Sequence, residues 1–178
     1  MSKTLTNIAA ATAVAGALAT ASVAAAKDAG AERAVTLEEV SSVEMSITGV
    51  TDYGTSMADL LAGTVAPPAQ GARLDIAFGG DTTGVLSGTM TGVDYANVRA
   101  DGRFELNIHA EIVTPDGARI AYQATGVSVP GADGIAQVRE VAKLTTSFEK
   151  YTWVNGLTFI AEGTVNTETG AISLKLYK

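Results

Sequence analysis

The chain has 178 residues, with 12 Lys and Arg against 19 Asp and Glu, a single His, no Cys and a net charge of −7. Without cysteine there is no disulfide, thiolate nucleophile or Cys-ligated cluster, and one histidine excludes a multi-histidine metal site. The acidic balance also lacks the clustered cations that displace counterions from nucleic acid or hold an anionic membrane surface.

Residues 1–26 carry one charge, Lys3, followed by an Ala-rich apolar run from Ile8 to Val23 and the small-residue end Ala24-Ala25-Ala26. That order is the charged, apolar and Ala-x-Ala sequence of a secretory signal peptide, and the run is too short and weakly hydrophobic for a permanent span. The expectation is cleavage before Lys27, a secreted or periplasmic location in a bacterium, and no membrane attachment afterwards. Residues 27–41 read as a flexible lead-in, within which Thr36-Leu37-Glu38-Glu39 has capping-box spacing for a turn of helix. The domain proper is then expected over 42–178.

From there apolar residues alternate. Val43, Met45 and Ile47 share one face of a strand at 42–49, and Leu74, Ile76 and Phe78 do so at 72–78, with Arg73 and Asp75 opposite. The 51–71 connection between them contains Ser56-Met57-Ala58-Asp59, a second capping-box spacing ahead of Leu60 and Leu61, before Pro67-Pro68 stops any helix. One short helix there would cover the mouth of a barrel. Leu86, Gly88 and Met90 continue the alternation at 84–91, and a strand is expected at about 95–100. The clearest case is 103–113, where Phe104, Leu106, Ile108, Ala110 and Ile112 oppose Arg103, Glu105, Asn107, His109 and Glu111. Further strands are expected over 118–127, 138–147, 157–165 and 171–177, although 134–143 fits a helical period about as well. Gly79-Gly80-Asp81, Asp101-Gly102, Pro115-Asp116-Gly117, Asn155-Gly156 and Thr169-Gly170 supply the turns. Short strands at such intervals define an all-β chain, read here as a single antiparallel β-barrel of about eight strands with a short helix in the 51–71 connection.

Candidate chemistry comes from the same alternation. His109 and Glu111 leave one face of a strand, close enough for the carboxylate to orient the imidazole as a general base; a solvent-facing polar stripe is the competing reading. Tyr122 is a further candidate for moving a proton. Arg73, Arg99 and Arg139 each offer a planar fork for a ligand carboxylate, with Asp94 as an internal partner, against the alternative of surface ion pairs. Tyr151, Trp153 and Asn155 alternate, so the indole would stack on an aromatic ligand or plug the core. No nucleophile elbow, phosphate loop, dinucleotide fingerprint or metal-ligand spacing is present in the sequence, and neither metal nor organic cofactor is expected.

Several of these residues stand in a consistent order: Gly71-x-Arg73, Phe78-Gly79-Gly80, Gly84-x-Leu86-x-Gly88, Asp94, Val98-Arg99-x-Asp101-Gly102-x-x-Glu105-Leu106, Asp116-Gly117-Ala118, Tyr151-x-Trp153-Val154-Asn155 and Phe159-x-Ala161-x-Gly163. From about Gly71 to Tyr177 this order resembles the bacterial domain-of-unknown-function family numbered 3237. The resemblance implies a small barrel similar to that of allene oxide cyclases, with an interior that holds a small organic molecule. It implies no single activity, although some members look like lyases or decarboxylases of aromatic compounds. This chain departs from the pattern at His109-Ala110, where relatives carry Arg and Tyr, and at Ile120-Ala121. The functional expectation is binding of a small organic molecule, aromatic or carboxylated, in the cavity. The alternative is a cofactor-independent lyase, isomerase or cyclase. A third is a structural role through exposed sheet edges, and association into a homo-oligomer is left open.

Overall fold

Period-two alternation carries the chain through eight strands: β1 (Glu39–Asp52), β2 (Ala72–Gly84), β3 (Gly88–Val98), β4 (Phe104–Val113), β5 (Arg119–Val129), β6 (Ile135–Thr145), β7 (Phe159–Asn166) and β8 (Ala171–Tyr177). A short helix α1 (Met57–Leu61) lies between β1 and β2, and a 3₁₀ segment (Glu149–Gly156) lies between β6 and β7. In this computed structural model, which describes residues 36–178, each strand runs antiparallel to the next and β8 pairs back onto β1. Closure leaves no free sheet edge among the described residues, which removes the edge that an adhesive role would need. The expected signal peptide and the lead-in up to residue 35 lie outside them.

Four details differ from the sequence reading. Thr36–Glu38 form no regular element and Glu39 opens β1, so the first capping-box spacing starts no helix. With β-branched and apolar residues next at every second position, pairing to β2 and β8 outcompetes a single turn. Gly79-Gly80-Asp81 is no turn: β2 continues to Gly84, and a Cβ at Gly80 would overlap the carbonyl oxygen of Glu44. Glycine there permits close approach of two strands. The turn falls instead at Val85–Ser87, so the strands expected at 84–91 and 95–100 are the single β3 and nine candidates become eight. Tyr151, Trp153 and Asn155 do not alternate along a strand but lie in the 3₁₀ segment. The ambiguous 134–143 stretch belongs to β6.

The second capping-box spacing does start a helix, through the serine alone. Ser56 is the N-cap of α1 and its hydroxyl accepts from the Asp59 amide at 3.4 Å. Met57, Leu60 and Leu61 then pack, with Ile47 and Leu106, on the cluster of Leu74, Ile76, Val98 and Phe104 at one end of the barrel. At the other end, Asn155 folds the 3₁₀ segment across the opening: its side chain accepts from the Thr146 amide and donates to the Thr146 carbonyl, both at 2.9 Å. Val154 from that segment joins Leu86, Ile112, Ile120, Leu144 and Phe159, all essentially inaccessible to solvent. Lys150 and Tyr151 anchor the same segment to Asp116 in the β4–β5 turn.

Candidate functional site in the barrel lumen

Even-numbered positions of β2 to β6 face inward, and near the α1 end they enclose a cavity of about 90 Å³. Its walls are mostly apolar, with Ile76, Phe78, Leu106, Ile108, Val138 and Leu174 prominent, and Met57 and Leu61 of α1 form part of the roof. Set into these walls are Asp94, Tyr122, Ser128, Glu140 and Thr167. Among the described residues no Lys, Arg or His lines the cavity.

Asp94 sits on β3 with Met90, Gly92, Ala96 and Val98 in the same inward row. It is 7% exposed, and its Oδ1 accepts from the Asn107 amide of β4 at 2.8 Å. Burial pushes its pKa up to about 6, against the opposing pull of the Asn107 hydrogen bond and the positive charge of Arg73. Glu140 sits on β6 directly opposite Gly126 of β5 and is 4% exposed. Burial raises its pKa to about 7; the hydroxyl of Tyr122, donating to Oε2 at 2.8 Å, pulls it down, and the charge of Asp94 pushes it up. Tyr122 itself is held well above the ordinary phenol range, first by burial and then by Glu140.

Gly126 makes room for this arrangement. It stands between Leu106 and Glu140 in register, and a Cβ there would overlap the Arg139 carbonyl oxygen. The sheet therefore coils tightly beside the acid, as barrel closure requires. Each carboxyl group uses one oxygen in the hydrogen bonds just described, while Asp94 Oδ2, Glu140 Oε1 and Ser128 Oγ take no protein partner among the described residues. None of these three oxygens is sealed inside protein; they open on the cavity.

The remaining sequence candidates lie elsewhere. His109 is exposed on the outer face of β4, edge-on to the Tyr95 ring at 5.6 Å, and Glu111 pairs with Arg119 at 2.6 Å rather than with the imidazole. Both are odd-numbered on a strand whose even positions turn inward, so the solvent-facing stripe is what the strand presents. Arg73 lies outside β2, bound to Asp75 at 2.6 Å and over the Tyr95 ring at 5.1 Å. Arg99 pairs with Glu105 at 2.5 Å by the β3–β4 hairpin, and Arg139 is exposed on the outer face of β6. Trp153 meets Phe159 edge-on at 6.2 Å at the plugged end, with Lys178 Nζ 5.3 Å from its centroid, and Asn155 is engaged with Thr146. Only Asp94 and Tyr122 of the candidate residues meet in the lumen. Sequence reasoning missed Glu140 and Ser128; the signal available was parity, because Glu140 comes after Ala136 and Val138 and before Ala142 and Leu144 at every second position.

Fold and site together define a small antiparallel barrel, plugged at one end and hollow at the other, with acids on its inner wall. The chain belongs to the family described as protein of unknown function (DUF3237), whose signature matches residues 58–178. The match starts inside α1, yet β1 before it completes the barrel. Among solved structures the chain is similar to a protein with unknown function from Clostridium acetobutylicum, at 23% identity over 80% of this chain and 97% of that one, with a TM-score of 0.65. It is also similar to a β-barrel-like protein from Acinetobacter baumannii, at 21% identity over 80% and 94% with a TM-score of 0.62. An enzyme from Penicillium herquei shares the fold at 21% identity, 80% and 94% coverage and a TM-score of 0.56. Likeness at these identities is likeness of fold. No curated protein matches the chain in sequence.

Proposed function

We propose that this protein binds a small, predominantly apolar organic molecule in the hollow half of its barrel, beneath α1. The observation that carries the reading is the contrast inside one lumen: an apolar cavity into which three unpartnered oxygens open, next to a half filled solidly by side chains. A pocket needed only for packing would not retain two carboxyl groups, since burying each is costly unless something at the site makes use of it. With no cation on the cavity wall among the described residues, the carboxylated ligand of the sequence expectation loses its support, and the aromatic one keeps it.

A second reading, cofactor-independent lyase, isomerase or cyclase chemistry, is favoured by the raised pKa values of Asp94 and Glu140, about 6 and about 7. Near neutral pH the first is mostly ionised and the second partly protonated, so a base and an acid face one cavity. The fold neighbour from Penicillium herquei is described as an enzyme, which is compatible with this reading. Export through residues 1–26 and action outside the cytoplasm are part of the proposal; a mature N-terminus at Lys27 in the periplasmic or secreted fraction tests it. The outer surface supports freedom from membrane and nucleic acid. It carries Arg73, Asp75, Glu105, His109, Glu111 and Arg139 outward with apolar residues inward, the inverse of a lipid-embedded barrel.

The binding reading is tested by a thermal-shift and NMR screen of small aromatic and aliphatic compounds. A ligand that binds only the folded state must raise the melting temperature. The expected result is stabilisation with shift changes confined to residues around Asp94, Ser128 and Glu140. A screen in which nothing stabilises the protein contradicts it.

A further inference from the structure

The chemistry of the three free oxygens narrows the ligand class, and this narrowing rests on the binding function proposed above. Asp94 Oδ2, Glu140 Oε1 and Ser128 Oγ open on one cavity from β3, β6 and β5, and Ser128, at 9% exposure, has no hydrogen-bond partner among the described residues. Ionised carboxylates only accept hydrogen bonds, and a hydroxyl can accept as well as donate. The wall thus presents acceptors and up to two negative charges, with no cation among its residues to neutralise them. An anionic ligand would add a further like charge in a poorly screened interior. A neutral alcohol would satisfy one acceptor and leave the charge uncompensated. A primary ammonium has three N–H donors and one positive charge, and so complements the wall in both number and sign.

We infer that the lumen is a site for a small primary amine, whose ammonium group is held by Asp94, Glu140 and Ser128 and whose hydrocarbon part fills the space between Phe78, Leu106, Ile108 and Val138. The size of the hollow limits the amine. An engineered apolar cavity of about 150 Å³ accepts benzene, whereas this one is about 90 Å³, so only a shorter chain fits without movement, and a butyl chain, which is as bulky as benzene, or a ring requires α1 to shift. The net charge of −7 adds a long-range field that draws cations rather than anions toward the barrel. Gly126 belongs to the same design, because its missing side chain lets β5 and β6 approach closely beside Glu140.

The experiment compares matched probes on the full domain by NMR titration: n-propylamine, 1-propanol and propionate, and separately benzylamine, benzyl alcohol and benzoate. The amine of the accepted series is expected to bind about tenfold tighter than its alcohol, one charge-assisted hydrogen bond's worth, with the carboxylate weakest. Its affinity is expected to rise between pH 5 and 8 as the wall ionises while the amine stays protonated. The titratable groups facing the cavity are Asp94, Tyr122 and Glu140, with Arg73 and Asp75 acting on Asp94 through the sheet from outside. In the isosteric Asp94→Asn, Glu140→Gln double variant the amine preference is expected to fall to within about twofold of the alcohol, which still binds. An alcohol or carboxylate that matches the amine in the unmodified protein, or amine affinity that falls with rising pH, overturns the amine assignment and leaves a general cavity standing. If no probe of either series binds, the cavity reading falls together with it.

Discussion

The two ends of this barrel are built from the same alternation and do opposite things with it. At the end where β1 begins and β8 stops, the inward positions are Leu86, Ile112, Ile120, Leu144 and Phe159, and the 3₁₀ segment adds Val154, so the lumen is solid. At the α1 end the inward positions include Asp94, Ser128, Ala136 and Glu140, and the roof is a five-residue helix with no fully buried side chain. Stability concentrates where large apolar side chains interdigitate; the hollow end gives up packing for polar groups that address a ligand.

The sharpest way to break this contrast is to hollow out the solid end. Phe159→Ala is expected to lower unfolding free energy by about 3–5 kcal/mol, read from urea denaturation with an unchanged m-value, because a fully buried ring leaves a cavity that rigid strands cannot close. A loss under about 1 kcal/mol would mean that this end is not the packed half.

A pH series probes the hollow end. Asp94 and Glu140 hold their protons more tightly folded than unfolded, with pKa values of about 6 and about 7 against 3.8 and 4.5. Folding therefore takes up protons between these limits, so the stability these groups contribute is fully present below about pH 4 and is lost as pH rises through 6 and then 7. Asp101, lowered to about 2 by its hydrogen bonds from Arg103, acts with the opposite sign only at more acid pH. Glu140→Gln is expected to remove roughly 2–3 kcal/mol of the decline between pH 4.5 and 8 while keeping an acceptor for Tyr122. A variant with the same pH profile as the parent would place the titration elsewhere.

Smaller effects separate the plug from the outer wall. Asn155→Ala deletes two hydrogen bonds to the Thr146 backbone and is expected to cost about 1–2 kcal/mol, with the largest increase in amide exchange across the 3₁₀ segment. On the outer face, His109→Ala is expected to change stability by no more than about 0.5 kcal/mol and to leave ligand affinity unaltered. Lost binding in that variant would bring the β4 exterior into the site.

How far the fold is legible in the sequence depends on what each signal encodes. Strand β4 is legible because positions 103–113 alternate cleanly, and Ser56 announces α1 through its capping spacing. Gly79-Gly80 misleads because glycine marks a turn and a close strand crossing with the same letter. Asn155 resembles a turn residue and is in fact the clasp that folds Tyr151 and Val154 over the barrel end, a contact made across nine residues. The site is only half legible. Asp94 and Tyr122 stand out as candidates, but Glu140 lies in a stretch where helical and extended periods compete, and its inward parity emerges only once β5 fixes the register of β6. The arginines are natural suspects by chemistry alone; which face of a strand they leave is settled by their neighbours in space.

Two carboxyl groups facing one hollow lumen are the centre of the proposed site, and side-chain carboxyl ¹³C NMR reads them individually. Titrating the ligand-free domain, the resonances of Asp94 and Glu140 are expected to move with midpoints near 6 and 7, while those of Asp101 and Asp116 stay below the ordinary carboxylate range. Midpoints for Asp94 and Glu140 at the unperturbed 3.8 and 4.5 would place both groups in water and contradict the lumenal site.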